Sequence, residues 1–339
     1  MIMFGSITAV CLIGFSVGLP AHATVIRKLE PGLRYQYATD SDGESHLVDL
    51  WMTLDDWRQA ARFNPVASNA YHLFTRANPT VSQPLVLNNA ANLQQSNFDS
   101  TKRTVFLVHG WRNSASSEVN LVLVPALLAA ADLNVIVVDW SAGSSSINYR
   151  LVLLNTISSG RAVAQFIQWL NQVSGSSTSQ IHLVGHGFGG HKVGIIGRNL
   201  GGSVNYITGL NPALIGWVTN IYRFQPNDGV YTEVIHSNYG VYGYIAELAH
   251  VDFYPNGGIS MPGCDSNECD NARSYFYFAE SVMSGGFTGR QCVNYAAAVI
   301  GMCDALPGRL LQMGGLEPKT GRTGVFLLET NASPPFSQG

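Results

Sequence analysis

From residue 104 to residue 210 the chain alternates between short, unbroken apolar runs and longer stretches whose apolar positions fall at helical spacing. Thr-Val-Phe-Leu-Val at 104–108, Asn-Val-Ile-Val-Val at 134–138, Ile-His-Leu-Val at 181–184 and the run 204–210 are short and bounded by Gly, Asp, His or Asn. Runs of that kind suit strands buried on both faces. Between them, residues 116–131 are rich in Leu, Val and Ala and predict a helix, with Pro125 as an interruption. Residues 149–173 predict a long helix with Val163, Phe166, Ile167 and Leu170 on its inner face. After residue 184 a glycine-rich turn opens into a segment with Val193, Ile196 and Leu200 at helical spacing. Strand and helix in alternation imply βαβ units and a mostly parallel central sheet flanked by helices, an α/β architecture in a single domain. Short strands are expected at 71–76 and 85–87, and a closing strand at 324–328. Residues 24–70 carry Trp51, Trp57 and scattered charge without a strong period, and are expected to pack on the edge of a domain spanning 71–339.

Composition narrows the class. Of 339 residues, 46% are hydrophobic and only 12% charged, with a net charge of −3. That supports a large core and offers no basic excess for nucleic acid or an anionic membrane surface. Residues 1–23 are apolar, end in small residues and present Ala21-His22-Ala23 as a cleavage site, although no Lys or Arg precedes the apolar run. They predict a signal peptide and a secreted, extracellular protein. No later run is long and apolar enough to span a bilayer. Removing Cys11 with the signal leaves Cys264, Cys269, Cys292 and Cys303, an even set that reads as two disulfides. Three pairings are possible, the local one being simplest, and no Cys or His spacing supports a metal site.

Chemistry is expected at the turn after residue 184. A strand, a sharp glycine turn and a helix form the setting of the nucleophile elbow, G-x-S-x-G, but here the turn reads Gly185-His186-Gly187-Phe188-Gly189. Around it stand F-T-R-A-N-P from Phe74, F-L-V-H-G-W from Phe106, V-V-D-W-S from Val137, G-L-N-P-A from Gly209, E-V-I-H from Glu233, H-V-D-F-Y-P-N-G-G from His250 and C-D-N-A-R-S-Y from Cys269. In this order the motifs resemble the pancreatic-lipase family of α/β-hydrolases, in particular its insect-type, short-lid phospholipase branch. The resemblance implies an α/β-hydrolase fold. It sets the family's nucleophile at Gly187, its acid at Asn211 and its histidine at Asn271, so all three catalytic groups are replaced. The family's lid lies between the cysteines matched by Cys264 and Cys269, and only four residues separate them here. The acids of its calcium loop are matched by Asn220, Gln225 and Asp228, so no calcium is expected.

Gly187 has no oxygen to attack an ester, Asn271 cannot shuttle a proton near neutral pH, and Asn211 cannot stabilise an imidazolium. Losing a whole triad costs on the order of 10⁶ in turnover, as in a serine protease, or about 8 kcal/mol of barrier. His109, His186, His191 and His250 lie near the expected site and are read as core histidines. Family resemblance leaves the backbone N–H groups of Trp111 and Phe188 as an oxyanion hole, within a pocket expected to include Ile215 and Trp217. The resulting expectation is an inactive lipase homologue that binds a lipid, another apolar molecule or a protein partner, without a cofactor. Two alternatives stand beside it: a storage protein like the insect yolk proteins of this family, and an ester hydrolase or phospholipase using a displaced group.

Overall fold

The computed structural model describes residues 34–40, 44–240, 242–303 and 309–339; the expected signal peptide lies outside them. The apolar runs become the middle of one eleven-stranded sheet. In chain order the strands of the protein are β1 (Tyr35–Thr39), β2 (Ser45–Asp49), β3 (Ala70–Phe74), β4 (Gln83–Leu85), β5 (Thr104–Val108), β6 (Asn134–Asp139) and β7 (Ile181–His186). They continue with β8 (Tyr206–Leu210), β9 (Tyr231–Ile235), β10 (Val251–Pro255), β11 (Thr288–Cys292), β12 (Leu310–Gln312) and β13 (Gly324–Leu328). The sheet runs β12-β11-β13-β10-β9-β8-β7-β5-β6-β3-β4. Every pair from β6 to β13 through its centre is parallel, and the outer pairs at both edges are antiparallel. β5, β8 and β9 are buried at every position, as strands covered by helices on both faces must be.

The expected helices form as Glu118–Ala130, Tyr149–Ser174 and Phe188–Asn199. Pro125 sits inside the first of them. Asn148 caps the second by accepting from Leu151 N–H, and Gly175 ends it with a left-handed φ of 77°. A further helix, Asn267–Met283, is capped by Ser266.

Two expectations shift. The strand expected at 85–87 lies at Gln83–Leu85 instead, because Val86 N–H is taken by Asn92 Oδ1 and Asn88 turns the chain at φ 63°. Within residues 24–70, where no period is visible, β1 and β2 pair as a separate antiparallel hairpin. The helix Leu54–Arg62 follows under a Thr53–Asp56 capping box. Arg150 Nε donates to Asp49 O at 3.0 Å and Asn148 Nδ2 to Asp56 Oδ1 at 2.7 Å, tying this segment to the start of the helix Tyr149–Ser174. The disulfides are Cys264–Cys269 and Cys292–Cys303, the local pairing. Among the described residues no helix is long and apolar enough to cross a membrane.

Candidate functional site

The carboxyl ends of the parallel strands, where α/β folds bind their ligands, open into a cavity of about 490 Å³. The turn after β7 forms its floor. Gly187 takes φ 57° and ψ −116°, a conformation that a residue with a Cβ adopts only under strain. The turn is held by Gly187 N–H donating to Leu210 O at 3.1 Å and by Gly187 O accepting from Ala213 N–H at 3.1 Å. A Cβ on Gly187 would meet nothing nearer than Gly110 Cα at 4.0 Å, whereas one on Gly189 would stand 2.1 Å from Val108 O. The elbow therefore has room for a side chain at position 187 and none at position 189.

Asn211 follows β8 and Asn271 lies in the first turn and a half of the helix Asn267–Met283, and both meet at the cavity floor. Backbone donors fix their orientation. Asn211 Oδ1 accepts from Ser237 N–H at 3.2 Å and Asn238 N–H at 3.1 Å, so its Nδ2 is the atom that faces Asn271. That Nδ2 donates to Asn271 Oδ1 at 2.7 Å. The same oxygen lies 3.2 Å from His186 Nε2. An oxygen cannot donate, so His186 carries its proton on Nε2. Burial, only partly opposed by the bond to Asn271, pushes the His186 imidazolium down to about 4. The three side chains form one hydrogen-bonded cluster that is neutral at pH 7.

Aromatic rings form one wall. Tyr149 stands edge-on to Trp111 at 5.1 Å and to Phe188 at 4.9 Å between centroids. Tyr149 donates its hydroxyl proton to Ile215 O at 2.9 Å. Trp111, Phe188 and Ile215 line the cavity. Trp217 does not: it lies behind Phe188, fully buried, with its ring stacked 4.2 Å from His191. The chain turns inward at Leu214–Trp217 and places the indole in the core. Phe188 is the first residue of its helix, so its N–H has no intrahelical acceptor. Among the described residues neither it nor Trp111 N–H donates to a protein acceptor.

The other singled-out histidines are structural. His191 accepts from Phe224 N–H through Nδ1 and donates to Ala213 O through Nε2 at 2.7 Å, and burial drives it down to about 3. His109 is buried beside Asp139 and accepts from Trp140 N–H through Nε2. His250 bonds Thr232. Asp228 is paired with Arg198 at 2.8 Å and accepts from Gln225 N–H.

The sequence pattern gives no sign of the roof. Ala38, Thr39 and Asp40 of the β1–β2 hairpin line the cavity, and Asp40 pairs with Arg112 at 2.7 Å. Glu268 and Glu118 also line the cavity and accept from the hydroxyls of Tyr242 and Tyr275 at 2.6 and 2.5 Å. These contacts join residues tens to more than a hundred positions apart, which no local periodicity reports. Cys269 also lines the cavity, and its disulfide pins the start of the helix that carries Asn271.

The model of the family described as Lipase matches residues 51–336. The chain belongs to the lipase family. It is 31% identical over 307 residues to pancreatic triacylglycerol lipase of Oryctolagus cuniculus, covering 80% of this chain and 65% of that protein. To lipase member H of Xenopus tropicalis it is 36% identical over 244 residues, covering 68% and 52%. The chain thus spans between about half and about two thirds of these relatives' length. Among solved structures, a carboxylesterase of Mesorhizobium loti is similar over 47% of this chain and 74% of its own, at 18% identity and a TM-score of 0.34.

Proposed function

We propose that this lipase-family protein is secreted and acts by binding, without hydrolysing esters, and that the cavity takes an apolar ligand such as an acyl chain. One observation carries the proposal: Gly187, Asn211 and Asn271, the positions matched to nucleophile, acid and base, lie on one cavity floor as a glycine and two hydrogen-bonded amides. No group in that cluster can attack a carbonyl, and none exchanges a proton near neutral pH. His186 does not stand in as base, since a value of about 4 makes it a poor proton acceptor at physiological pH and its Nε2 proton is committed to Asn271. What persists is binding apparatus. A cavity of about 490 Å³ is of ligand-binding size. Its aromatic wall favours hydrocarbon, and the open N–H groups of Trp111 and Phe188 offer two donors to a carbonyl oxygen.

The test is to incubate purified protein with mixed phospholipid and acylglycerol vesicles, then read retained lipid and released fatty acid by mass spectrometry. The triple variant Gly187→Ser, Asn211→Asp, Asn271→His is run alongside. Retained lipid without release from the wild type, and short-chain esterase activity in a folded triple variant, are expected. Wild-type release matching that of the triple variant overturns the proposal. Neither retention nor release favours a storage role.

A further inference from the structure

The helix Leu54–Arg62 is built inside out. An amphipathic surface helix ordinarily turns its apolar stripe to the core and its charge to water. Here Asp56 is the one buried residue of the helix, accepting from Asn148 Nδ2 at 2.7 Å and from Thr53 N–H at 2.7 Å. At 100° per residue, Leu54, Trp57 and Ala61 fall on the opposite side, together with Arg58. Leu54 is 76% exposed and Trp57 57%. Just ahead of the helix Trp51 is 62% exposed and Met52 36%. Isolated exposed apolar residues are ordinary; two indoles, a leucine and a methionine within seven residues are not.

We infer that Trp51, Leu54 and Trp57 form a docking element for a phospholipid bilayer surface, on and just ahead of a helix that packs beside the cavity wall. The chemistry of the patch selects that partner. Tryptophan, with an apolar body and one N–H donor, is the side chain that settles at the boundary between headgroups and hydrocarbon. Arg58 and Arg62 are exposed and hold no ion pair among the described residues, which leaves two guanidinium groups for lipid phosphates. Arg34 stacks on Trp51 at 4.9 Å and is paired with Asp49 at 2.7 Å, so this indole is held outward. None of Trp51, Met52, Leu54 or Trp57 lines the cavity; the helix offers projecting side chains that a soft surface accepts. The location adds to this. On the helix's inner side Asp56 bonds Asn148, and the next residue, Tyr149, is cavity wall. A bilayer held at the patch would bring lipid to the element that packs against the cavity wall, a purpose that rests on the proposed function. The four-residue loop closed by Cys264–Cys269 is too short to provide such a surface.

The experiment is co-sedimentation with phosphatidylcholine vesicles, with and without phosphatidylglycerol. It compares the wild type, Trp51→Ala/Trp57→Ala, Arg58→Gln/Arg62→Gln, and Val293→Ser as an exposed apolar control after β11. Near-UV circular dichroism checks the fold, and quenching by bromine-labelled acyl chains reports insertion. The wild type and the control are expected to bind both vesicles, the tryptophan variant to lose about tenfold or more in partitioning, and the arginine variant to lose affinity mainly for the anionic vesicles. Vesicle binding unchanged by the tryptophan substitutions, or absent in the wild type, overturns the inference. So does a wild-type dimer that the tryptophan variant dissolves, which would make the face a protein interface. Failure of the two proposals is separable: lipid retained from detergent solution with no patch-dependent vesicle binding defeats only the docking element, and patch-dependent binding without retained lipid defeats only the ligand cavity.

Discussion

Replacing Gly187 by Ser adds the side chain of the G-x-S-x-G elbow, and its cost can be worked out in advance. Backbone strain and steric room must be separated. At φ 57° and ψ −116° a residue with a Cβ sits in a sparsely populated region, which costs about 1–3 kcal/mol. Room is not limiting, since the new Cβ would meet only Gly110 Cα at 4.0 Å. Gly189→Ala has the opposite balance: its Cβ would fall 2.1 Å from Val108 O and 2.7 Å from His109 O, both backbone atoms at the end of the buried central strand β5. Equilibrium urea unfolding should therefore show Gly187→Ser and Gly187→Ala destabilised by a similar amount, about 1–3 kcal/mol. Gly189→Ala should lose well over that or fail to fold. Near-neutral Gly187→Ser and Gly187→Ala, within about 0.5 kcal/mol of the wild type, would refute the strain reasoning. A loss at position 187 equal to that at position 189 would refute the inference that the elbow keeps a vacant site.

Acid should destabilise the fold in a defined window. His186 and His191, held down by burial to about 4 and about 3, refuse protons that the unfolded chain takes up near 6.5, so their stability contribution is whole above about pH 6.5 and shrinks below it. At pH 4.5 the two remove about 5 kcal/mol together, against about 2 kcal/mol returned by Asp228, which burial raises to about 6. Urea midpoints at pH 7.5 and 4.5 should fall accordingly, and a flat profile would sink this account. A second expectation concerns Lys319, which pairs with the fully buried Glu233 between Tyr206 and Tyr231. Lys319→Ala should cost about 3–5 kcal/mol by stranding the carboxylate, and Glu233→Gln added to it should recover part of that loss. No recovery would mean that the charge is not what the lysine compensates.

Where the apolar pattern is strong, the sequence already carries the fold. The strands expected at 104–108 and 324–328 form with those bounds, because a run of buried side chains ended by Gly or His leaves little freedom of register. β9 and β10 are hidden by their own chemistry: each places a carboxylate, Glu233 or Asp252, inside a fully buried strand. Those acids are tolerated through partners distant in sequence, Lys319 for one and His236, at 2.9 Å, for the other. The hairpin β1–β2 was illegible because its residues are only partly buried and alternate weakly. At the site, the motifs brought Gly187, Asn211, Asn271, Trp111, Phe188 and Ile215 to one cavity. Trp217 failed because large apolar character does not tell a pocket wall from the layer behind it. Asp40, Glu118 and Glu268 gave no signal, since what makes them cavity residues is tertiary contact with Arg112, Tyr275 and Tyr242.

The two asparagines at the cavity floor are chemically dependent on one another. Backbone donors from Ser237 and Asn238 would serve a carboxylate at position 211 as well as they serve the amide oxygen, so a buried charge there would not lack partners on that side. What a carboxylate could not do is donate to Asn271 Oδ1, 2.7 Å away. It would set two acceptors against each other unless the Asn271 amide turned over, and turning it would present an NH₂ group to His186 Nε2, which accepts it only once the imidazole proton has moved to Nδ1. A histidine at position 271 facing the Asn211 amide would likewise lack the carboxylate that orients and stabilises it during proton transfer. One amide oxygen accepting from both neighbours satisfies all three groups without a charge, as a buried polar cluster requires. It also leaves no proton that can move. Changing either asparagine alone would therefore measure a rearranged hydrogen-bond cluster, and only Asn211→Asp and Asn271→His together with Gly187→Ser test the proposed absence of hydrolysis.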